Sequence, residues 1–380
     1  MRPPIACTRV NADDSTLAIE WNDGTSAEFA SIWLRDNLPE DRDAYSGQRV
    51  TDVTDLPLDP RIRSATLAQA DVRVVWQDQA RTSTFALDWL YRQALDRDRP
   101  PVAALHSWLE GAQLEPQRDF ARQPLAALQA DPRVRLDWLT RLLQQGIAFL
   151  RAVPANEAGI MQAMTLVGRI AETNYGLVFD VRAVPQPENL AYSDVGLGLH
   201  TDNPYREPVP GFQALHTLVA APDGGESLFA DGFALAQQLR SCCPEAFAIL
   251  TRTAVPFRYR SEHAELYAER PLIELSCAGA VTAVHYNSRS IAPLRLAAAD
   301  CRAYYAAYRR LGDMLREPRY QLRTLLGSGD LVVFDNQRIL HGRTGFASAQ
   351  HARHLRGCYL TRDSVYGEAA LLLRRIGSGA

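Results

Sequence analysis

Lysine is absent from this chain, so all 41 of its basic residues are arginines. The acidic residues number 44, and the formal net charge is −3 at pH 7. A nucleic acid or an acidic membrane surface is recognised by a concentrated basic face, which this balance does not indicate. We interpret the missing lysines as a compositional bias of the genome and assign them no role in a site.

Cysteine is also sparse. The six cysteines are scattered, and the only close pair is adjacent in sequence and poorly placed to ligate one metal; they are Cys7, Cys242, Cys243, Cys277, Cys301 and Cys358. This spacing argues against a disulfide scaffold and against a zinc ribbon. Neither a signal peptide nor an apolar run long enough to span a membrane is evident. We therefore expect a protein of the reducing cytoplasm that has free thiols and no membrane partner.

The length of 380 residues predicts two domains, or one large domain with an appendage. Near the N-terminus one pattern occurs twice, at 17–35 and at 72–92: an alternating strand, a turn, a second strand and a short Trp-Leu helix. Residues 1–98 are accordingly predicted to form a small β-rich domain. The charged, proline-bearing passage that follows predicts a linker or wrapping segment over 99–132.

The remainder, 133–380, is predicted to be the catalytic domain. It begins with a helix at 136–145, a strand at 147–150 and a second helix at 156–172. Short, turn-bounded apolar segments follow, with one long helix over 297–316; the segments are 214–220, 227–230, 272–275, 281–286, 331–334 and 356–360. This pattern is typical of a double-sheet barrel of the jelly-roll or cupin type, whose interior can hold a ligand.

The strongest chemical signal is the triplet His200-Thr201-Asp202, followed 139 residues after Asp202 (341 − 202) by His341. Two imidazoles and one carboxylate are the ligand set of a non-heme Fe(II) oxygenase. On a strand, side chains two residues apart point to the same face and can converge on one ion. For an isolated HxD, however, a structural histidine is favoured by roughly four to one.

Arg353 stands 12 residues beyond His341 (353 − 341). An Fe(II) oxygenase that uses 2-oxoglutarate must hold the distal carboxylate of this cosubstrate, and a guanidinium does so with two parallel hydrogen bonds. Arg353 is therefore the first candidate for this clamp, and Arg343 is the second. A surface arginine is a serious competing interpretation in a chain with 41 of them.

Five segments of the chain together resemble the γ-butyrobetaine dioxygenase family, within the taurine dioxygenase superfamily of Fe(II)/2-oxoglutarate oxygenases; they are 174–181, 189–192, 200–204, 224–232 and 334–341. The N-terminal run at 32–37 resembles the appended domain of the same enzymes. The resemblance implies a mainly β protein with helices: a distorted double-stranded β-helix (jelly-roll) catalytic domain and a small β-rich N-terminal domain. It implies His200, Asp202 and His341 as ligands of Fe(II), Arg353 as the 2-oxoglutarate clamp, and ascorbate as a stimulant.

The family binds a trimethylammonium group in a box of aromatic side chains, and the matching positions here are Tyr175, Phe179, Tyr192 and Tyr359. The anionic end of the substrate is matched by Asn189 and Asn287. The first substrate implied is γ-butyrobetaine, hydroxylated with O₂ to L-carnitine. If Arg289 turns inward, the pocket suits a more highly charged anion such as a phosphonate.

The chain departs from the family at the zinc site of the N-terminal domain. The family's three cysteines and histidine are missing here, because 37–43 reads Asn-Leu-Pro-Glu-Asp-Arg-Asp and His106 is the first histidine. We predict no zinc. The departure keeps other substrates open, namely 2-(trimethylamino)ethylphosphonate and trimethyllysine. A metal-binding cupin without 2-oxoglutarate and a non-catalytic β-rich interaction protein are the alternatives from other classes. The family also suggests a homodimer.

Overall fold

The computed structural model describes residues 6–77, 81–95, 104–182, 196–221, 223–346 and 353–377. The chain divides into two compact units, Met1–Pro101 and Val102–Ala380. Among the helices in these described ranges, none has both the length and the apolar character needed to cross a membrane.

The N-terminal unit is built from the repeat that the sequence predicts. Each copy is a three-stranded antiparallel sheet followed by a helix. The elements are β1 (Cys7–Ala12), β2 (Thr16–Trp21), β3 (Ser26–Ala30), α1 (Ser31–Asp36), β4 (Ile62–Ala68), β5 (Asp71–Trp76), β6 (Thr82–Ala86) and α2 (Leu87–Ala94). The two helices meet through stacked indoles, with the ring centroids of Trp33 and Trp89 5.3 Å apart. These aromatic residues form a core and carry no evident chemistry.

An ionic network occupies the segment where the family has its zinc ligands. Arg49 donates to Asp36 at 2.8 Å and to the Asn37 side-chain oxygen at 3.0 Å, and Arg42 donates to the same oxygen at 3.1 Å. Amide and carboxylate oxygens held by two guanidiniums do not fit a zinc ion, which needs thiolate or imidazole ligands. This loop is therefore held by charge pairing.

The second unit contains two facing sheets with helices outside them. Its strands are β7 (Arg122–Pro124), β8 (Ile147–Arg151), β9 (Ile170–Ala171), β10 (Phe179–Arg182), β11 (Leu197–His200), β12 (Phe212–Val219), β13 (Ser227–Asp231), β14 (Ala254–Arg260), β15 (Glu265–Pro271), β16 (Ile273–Leu275), β17 (Val281–Val284), β18 (Leu322–Thr324), β19 (Leu331–Asp335), β20 (Ile339–Arg343) and β21 (His354–Leu360). Its helices are α3 (Pro116–Asp119), α4 (Leu125–Ala130), α5 (Pro132–Gln145), α6 (Gly159–Met164), α7 (Gly232–Cys242), α8 (Pro244–Arg252), α9 (Ala298–Arg316) and α10 (Arg362–Gly377).

The larger sheet has the strand order β10-β21-β12-β19-β8-β7, with β9 also paired to β21, and the smaller has the order β11-β20-β13-β18. Their pairs are antiparallel except for β7 with β8. Apolar side chains of both sheets share one core, in which Phe149 and Phe334 of the larger sheet join Phe229 of the smaller. This arrangement is the predicted double-stranded β-helix, and the fold-class prediction is confirmed.

Local signals explain α5, the helix that covers the outside of the larger sheet. Asp131 caps its first turn by accepting the Arg133 N–H at 2.7 Å, and Pro132 occupies the first helical position. Gly146 ends it in a left-handed conformation, with φ at +78°. The chain then turns directly into the buried strand β8.

The helix predicted over 156–172 is wrong in extent, because only Gly159–Met164 is helical. Its start is delayed because the Asn156 side chain accepts the N–H groups of Ala158 and Gly159. Its end comes early because residues near its predicted terminus pair with β21, where Ala171 lies opposite Tyr359. Sheet pairing has overridden local helical preference.

Candidate active site

The site forms where β11 and β20 lie side by side in the smaller sheet, with His200 directly opposite His341. One ligand atom from each of His200, Asp202 and His341 lies within 4.8 Å of the others. The Asp202 carboxylate is 3.3 Å from His200 Nε2 and 3.8 Å from His341 Nε2. Three donor atoms of the right chemical types thus converge on a point that one ion could occupy.

The position of Asp202 does not come from a strand, contrary to the sequence prediction, because β11 ends at His200. The buried Asn336 side chain holds it instead. Its oxygen accepts the Asp202 N–H at 2.7 Å, and its nitrogen donates to the Asp202 carbonyl at 3.0 Å. Asn336 therefore pairs with the Asp202 backbone as a neighbouring strand would, and ties the carboxylate to the turn before His341.

Hydrogen bonds orient the ligand side chains. The Nδ1 atom of His200 lies 2.9 Å from the Gly198 carbonyl, which directs Nε2 towards the proposed ion. The Tyr359 hydroxyl donates to Asp202 Oδ2 at 2.8 Å. Strand β20 carries His341 at its centre, opposite β11.

Electrostatics leave Asp202 and His341 in the protonation states that a divalent cation requires. Burial raises the pKa of Asp202, but the two imidazoles and the Tyr359 hydroxyl outweigh it and hold this pKa below its ordinary range. Burial, assisted by His200, lowers the pKa of His341 to about 3. A carboxylate beside a neutral imidazole is ready to bind a metal without first losing protons. The donor set fits Fe(II).

The pocket around the triad has two chemically different ends, which the register of β12 and β21 places. Gln213 lies opposite Tyr359 at one end, and Thr217 lies opposite Leu355 towards the other, where β21 is preceded by Arg353. Leu215, midway between Gln213 and Thr217 on β12, gives the pocket an apolar middle, and Leu355 also lines it. A ligand with an anionic terminus and a methylene chain suits this order of side chains.

Arg353 and Arg343 are both buried, line the pocket and make one end of it positively charged. Their guanidiniums lie 5.7 and 5.4 Å from the centroid of the Phe346 ring. Burial and the charge of Arg343 lower the pKa of Arg353 to about 10, so Arg353 remains charged at neutral pH. The backbone of Gly225 packs closely against the Arg353 side chain, since a Cβ at this position would lie 3.3 Å from Arg353 Cδ. Its φ of +68° also favours glycine.

Three of the four aromatic residues predicted to form the box line the pocket: Tyr175, Phe179 and Tyr359. The ring centroids of Phe179 and Tyr359 are 5.2 Å apart, and those of Tyr175 and Phe179 are 6.2 Å apart. Gly357 makes room for Phe179, because a Cβ there would overlap the ring. Tyr192 lies outside the described residues.

Of the residues predicted for the substrate anion, only Arg289 lines the described pocket. Arg289 is partly exposed to solvent, and desolvation by the neighbouring protein lowers the pKa of its guanidinium, with Asp202 opposing that effect. Asn287 is buried and occupied by the backbone, donating to the Thr201 carbonyl at 2.9 Å and accepting the Arg289 N–H at 3.2 Å. Asn189 lies outside the described residues.

Several pocket residues were missed by the sequence analysis. The pocket-lining ones are Asn203, Gln213 and Ser227, and the supporting ones are Asn336, Tyr205 and Tyr259. Gln213 and Ser227 had a usable signal, since each is a polar residue next to apolar residues in a mostly apolar strand. Asn336 had none, because its partner Asp202 is 134 residues away. Tyr205 had none, because its contacts with Tyr175 and Tyr259 join segments distant in sequence.

Two family models match this chain. The taurine catabolism dioxygenase TauD, TfdA family matches residues 110–359, and the gamma-butyrobetaine hydroxylase-like N-terminal family matches residues 8–91. The first covers the unit that carries the triad, and the second covers the repeat of the N-terminal unit.

The chain is 34% identical over 370 residues to the gamma-butyrobetaine dioxygenase of Pseudomonas sp. (strain AK-1). This alignment covers 95% of this chain and 94% of that protein. It is 29% identical over 362 residues to the mitochondrial trimethyllysine dioxygenase of Rattus norvegicus, in an alignment that covers 92% of this chain and 84% of that protein. Among solved structures, an asparagine oxygenase in complex with Fe(II), 2S,3S-3-hydroxyasparagine and succinate superposes with a TM-score of 0.50 at 18% identity, covering 62% of this chain and 82% of that one. This last likeness shows a shared fold.

Proposed function

Since the chain belongs to the taurine catabolism dioxygenase TauD, TfdA family and is a 2-oxoglutarate-dependent dioxygenase, we propose that it hydroxylates a small trimethylammonium zwitterion, with γ-butyrobetaine as the first candidate. The observation that supports this substrate class is the aromatic wall of Tyr175, Phe179 and Tyr359 in the same pocket as His200 and His341. The 34% identity to a gamma-butyrobetaine dioxygenase supports the choice of compound.

Each part of the pocket has a task in this reaction. When bound, Fe(II) and 2-oxoglutarate would activate O₂, of which one oxygen atom enters succinate as 2-oxoglutarate loses CO₂ and the other enters a substrate C–H bond. Arg353 would hold the distal carboxylate of 2-oxoglutarate, and the apolar middle of the pocket would accept its methylene chain. Tyr359 holds one oxygen of Asp202 by its hydroxyl and offers its ring to the substrate.

The aromatic wall suits a quaternary ammonium for a physical reason. Such a cation has no N–H to donate, so polar side chains cannot bind it by hydrogen bonds, whereas the negative faces of aromatic rings attract it. The interaction is worth roughly 0.5–2 kcal/mol per well-placed ring. The family often has tryptophan where this chain has Phe179, whose smaller ring gives a weaker cation–π surface.

Arg289 favours a second candidate, 2-(trimethylamino)ethylphosphonate. A guanidinium in the pocket can pair with two oxygens of a phosphonate and balances its larger negative charge better than an amide does. Trimethyllysine is the third compound to test, because relatives that act on it align over most of this chain.

A succinate-release assay with Fe(II), 2-oxoglutarate and a panel of the three trimethylammonium compounds tests the proposal. We expect turnover with γ-butyrobetaine well above the rate without substrate. Turnover confined to the phosphonate would replace the first candidate by the second and keep the mechanism. No turnover with any of the three would refute the substrate class.

Replacement of Arg353 by methionine should raise the KM for 2-oxoglutarate by about 30-fold or more, because truncating one partner of a buried charge pair costs roughly 2 kcal/mol at least. Steady-state kinetics with 2-oxoglutarate as the varied substrate measures this. Arg356→Met is the matched control, since Arg356 lies on β21 close to Arg353 but donates to the Glu157 carbonyl outside the pocket. Full activity of Arg353→Met would favour a cupin that works without 2-oxoglutarate.

The family resemblance further leads us to propose a homodimer in the reducing cytoplasm, stimulated by ascorbate. All six cysteines are free thiols, as that compartment permits. Light scattering of the purified protein tests the oligomeric state, and a monomer would contradict it.

A further inference from the structure

Asn203, the residue after the iron ligand Asp202, combines two unusual features. It is 6% exposed and lines the pocket. Its φ of +56° lies in the left-handed region, where asparagine is tolerated far better than a branched side chain. Backbone strain of this kind concentrates at ligand sites, where the surrounding structure holds it in place.

A chain of hydrogen bonds determines which end of the Asn203 amide is free. The Tyr205 hydroxyl donates to Asn203 Oδ1 at 2.6 Å, and the hydroxyls of Tyr205 and Tyr175 are 3.3 Å apart. The amide oxygen of Asn203 therefore accepts from Tyr205, and its Nδ2 is not involved in this bond. Within the described part of the chain this buried Nδ2 has no acceptor. An unpaired buried donor is unfavourable in a folded protein unless a water or ligand completes it.

The position of Asn203 indicates what kind of acceptor is missing. Through Tyr205 it is joined to Tyr175, so it lies at the aromatic end of the pocket and away from Arg353. The Arg289 guanidinium also lines the pocket, within electrostatic range of Tyr205 and Tyr175, and it is a donor too. Donors of this kind at the substrate end call for an anionic oxygen on the substrate.

We propose that Asn203 is a specificity-determining residue whose Nδ2 donates a hydrogen bond to the anionic group of the substrate. This inference rests on the proposed function and sharpens it. The same hydrogen-bonded chain contains Tyr175 of the aromatic wall, so one network positions the receptors for both charges of a zwitterion. The site accordingly selects zwitterions over simple quaternary cations.

The test compares two ligands that differ only in the anion, γ-butyrobetaine and butyltrimethylammonium. Asn203→Asp keeps the side-chain shape, the tolerance of positive φ and the oxygen that accepts from Tyr205, but removes the donor. We expect it to weaken γ-butyrobetaine binding by about 10- to 100-fold, the usual range for losing a hydrogen bond to a charged group. Binding of butyltrimethylammonium should be unchanged or tighter. Calorimetric titration of the full chain with Fe(II) and 2-oxoglutarate, without O₂, gives both Kd values.

Asn203→Gly, which also accepts positive φ, should show the same loss of discrimination. The matched control is Asn156→Asp, on an exposed loop where the side-chain oxygen accepts two backbone N–H groups. Equal weakening of both ligands by Asn203→Asp, no weakening of either, or a change confined to the Kd of 2-oxoglutarate would overturn the role of Asn203. Wild-type protein that binds neither ligand would instead refute the proposed function.

Discussion

Asp202→Ala is expected to abolish succinate release and to weaken Fe(II) binding by more than about 100-fold. Mutating a residue that only hydrogen-bonds a metal ligand costs up to about 100-fold, and losing the ligand itself should cost more. Asp202 is the sole carboxylate of the triad and supplies its negative charge, since burial lowers the pKa of His341 and keeps that imidazole neutral. Without this carboxylate the two imidazoles hold a divalent cation more weakly. Equilibrium dialysis of Fe(II) without O₂ measures the affinity, and circular dichroism checks the fold.

Asp137→Ala is the matched control for this change. Asp137 lies on the exposed face of α5, where it pairs with Arg141 at 3.2 Å, and its loss should leave both Fe(II) affinity and turnover unaltered. If Asp202→Ala kept its Fe(II) affinity within about twofold of the wild type, the ion would have to bind elsewhere, and the assignment of the triad would be wrong.

Arg338→Met is expected to lower the free energy of unfolding by about 3–5 kcal/mol, the range for removing one partner of a buried ion pair. Arg338 and Asp231 are almost wholly buried and form two hydrogen bonds, at 2.7 and 3.2 Å. Arg338 also donates to the His106 and Gln144 carbonyls. Methionine would therefore leave a buried carboxylate and two carbonyl oxygens without these donors. Urea denaturation measures the loss.

Asp231 makes further hydrogen bonds that would be disturbed if its ion pair with Arg338 were lost. Its carboxylate also caps α7 by accepting the Phe233 N–H at 2.9 Å, and accepts the Trp108 N–H at 3.1 Å. As the control, Arg316→Met breaks an exposed pair with Asp313 and should cost less than about 1 kcal/mol. A similarly small cost for Arg338→Met would show that the pair is not structurally important.

The sequence was most informative where local pattern decides the structure. Short apolar runs predicted β12, β13, β19 and most of β21, because most side chains of these strands are buried. Strand β20 was not predicted, because it ends in His-Gly-Arg, in which the polar His341 and Arg343 line the pocket. The residues that make the chemistry are those that break the hydrophobic pattern.

The candidate site divides in the same way. Residue types and spacing pointed to His200, Asp202 and His341, and the Fe(II) and 2-oxoglutarate prediction is confirmed by the family and the triad. The reason Asp202 converges on the histidines was not predictable, since it depends on Asn336, 134 residues away. The role of Asn203 was not predictable either, because it depends on the positive φ of this residue and on which amide atom the Tyr205 hydroxyl contacts, neither of which a residue pattern shows. Long-range hydrogen bonds such as those of Asn336 leave no trace in a local pattern.

The most direct test of the central claim, a 2-oxoglutarate-coupled hydroxylation of a trimethylammonium zwitterion, is mass spectrometry of the products formed under isotopically labelled dioxygen. γ-Butyrobetaine, 2-oxoglutarate and Fe(II) should yield hydroxylated γ-butyrobetaine and succinate in equal amounts, each carrying one labelled oxygen atom. Succinate formed while γ-butyrobetaine, its phosphonate counterpart and trimethyllysine all remain unmodified would contradict the account.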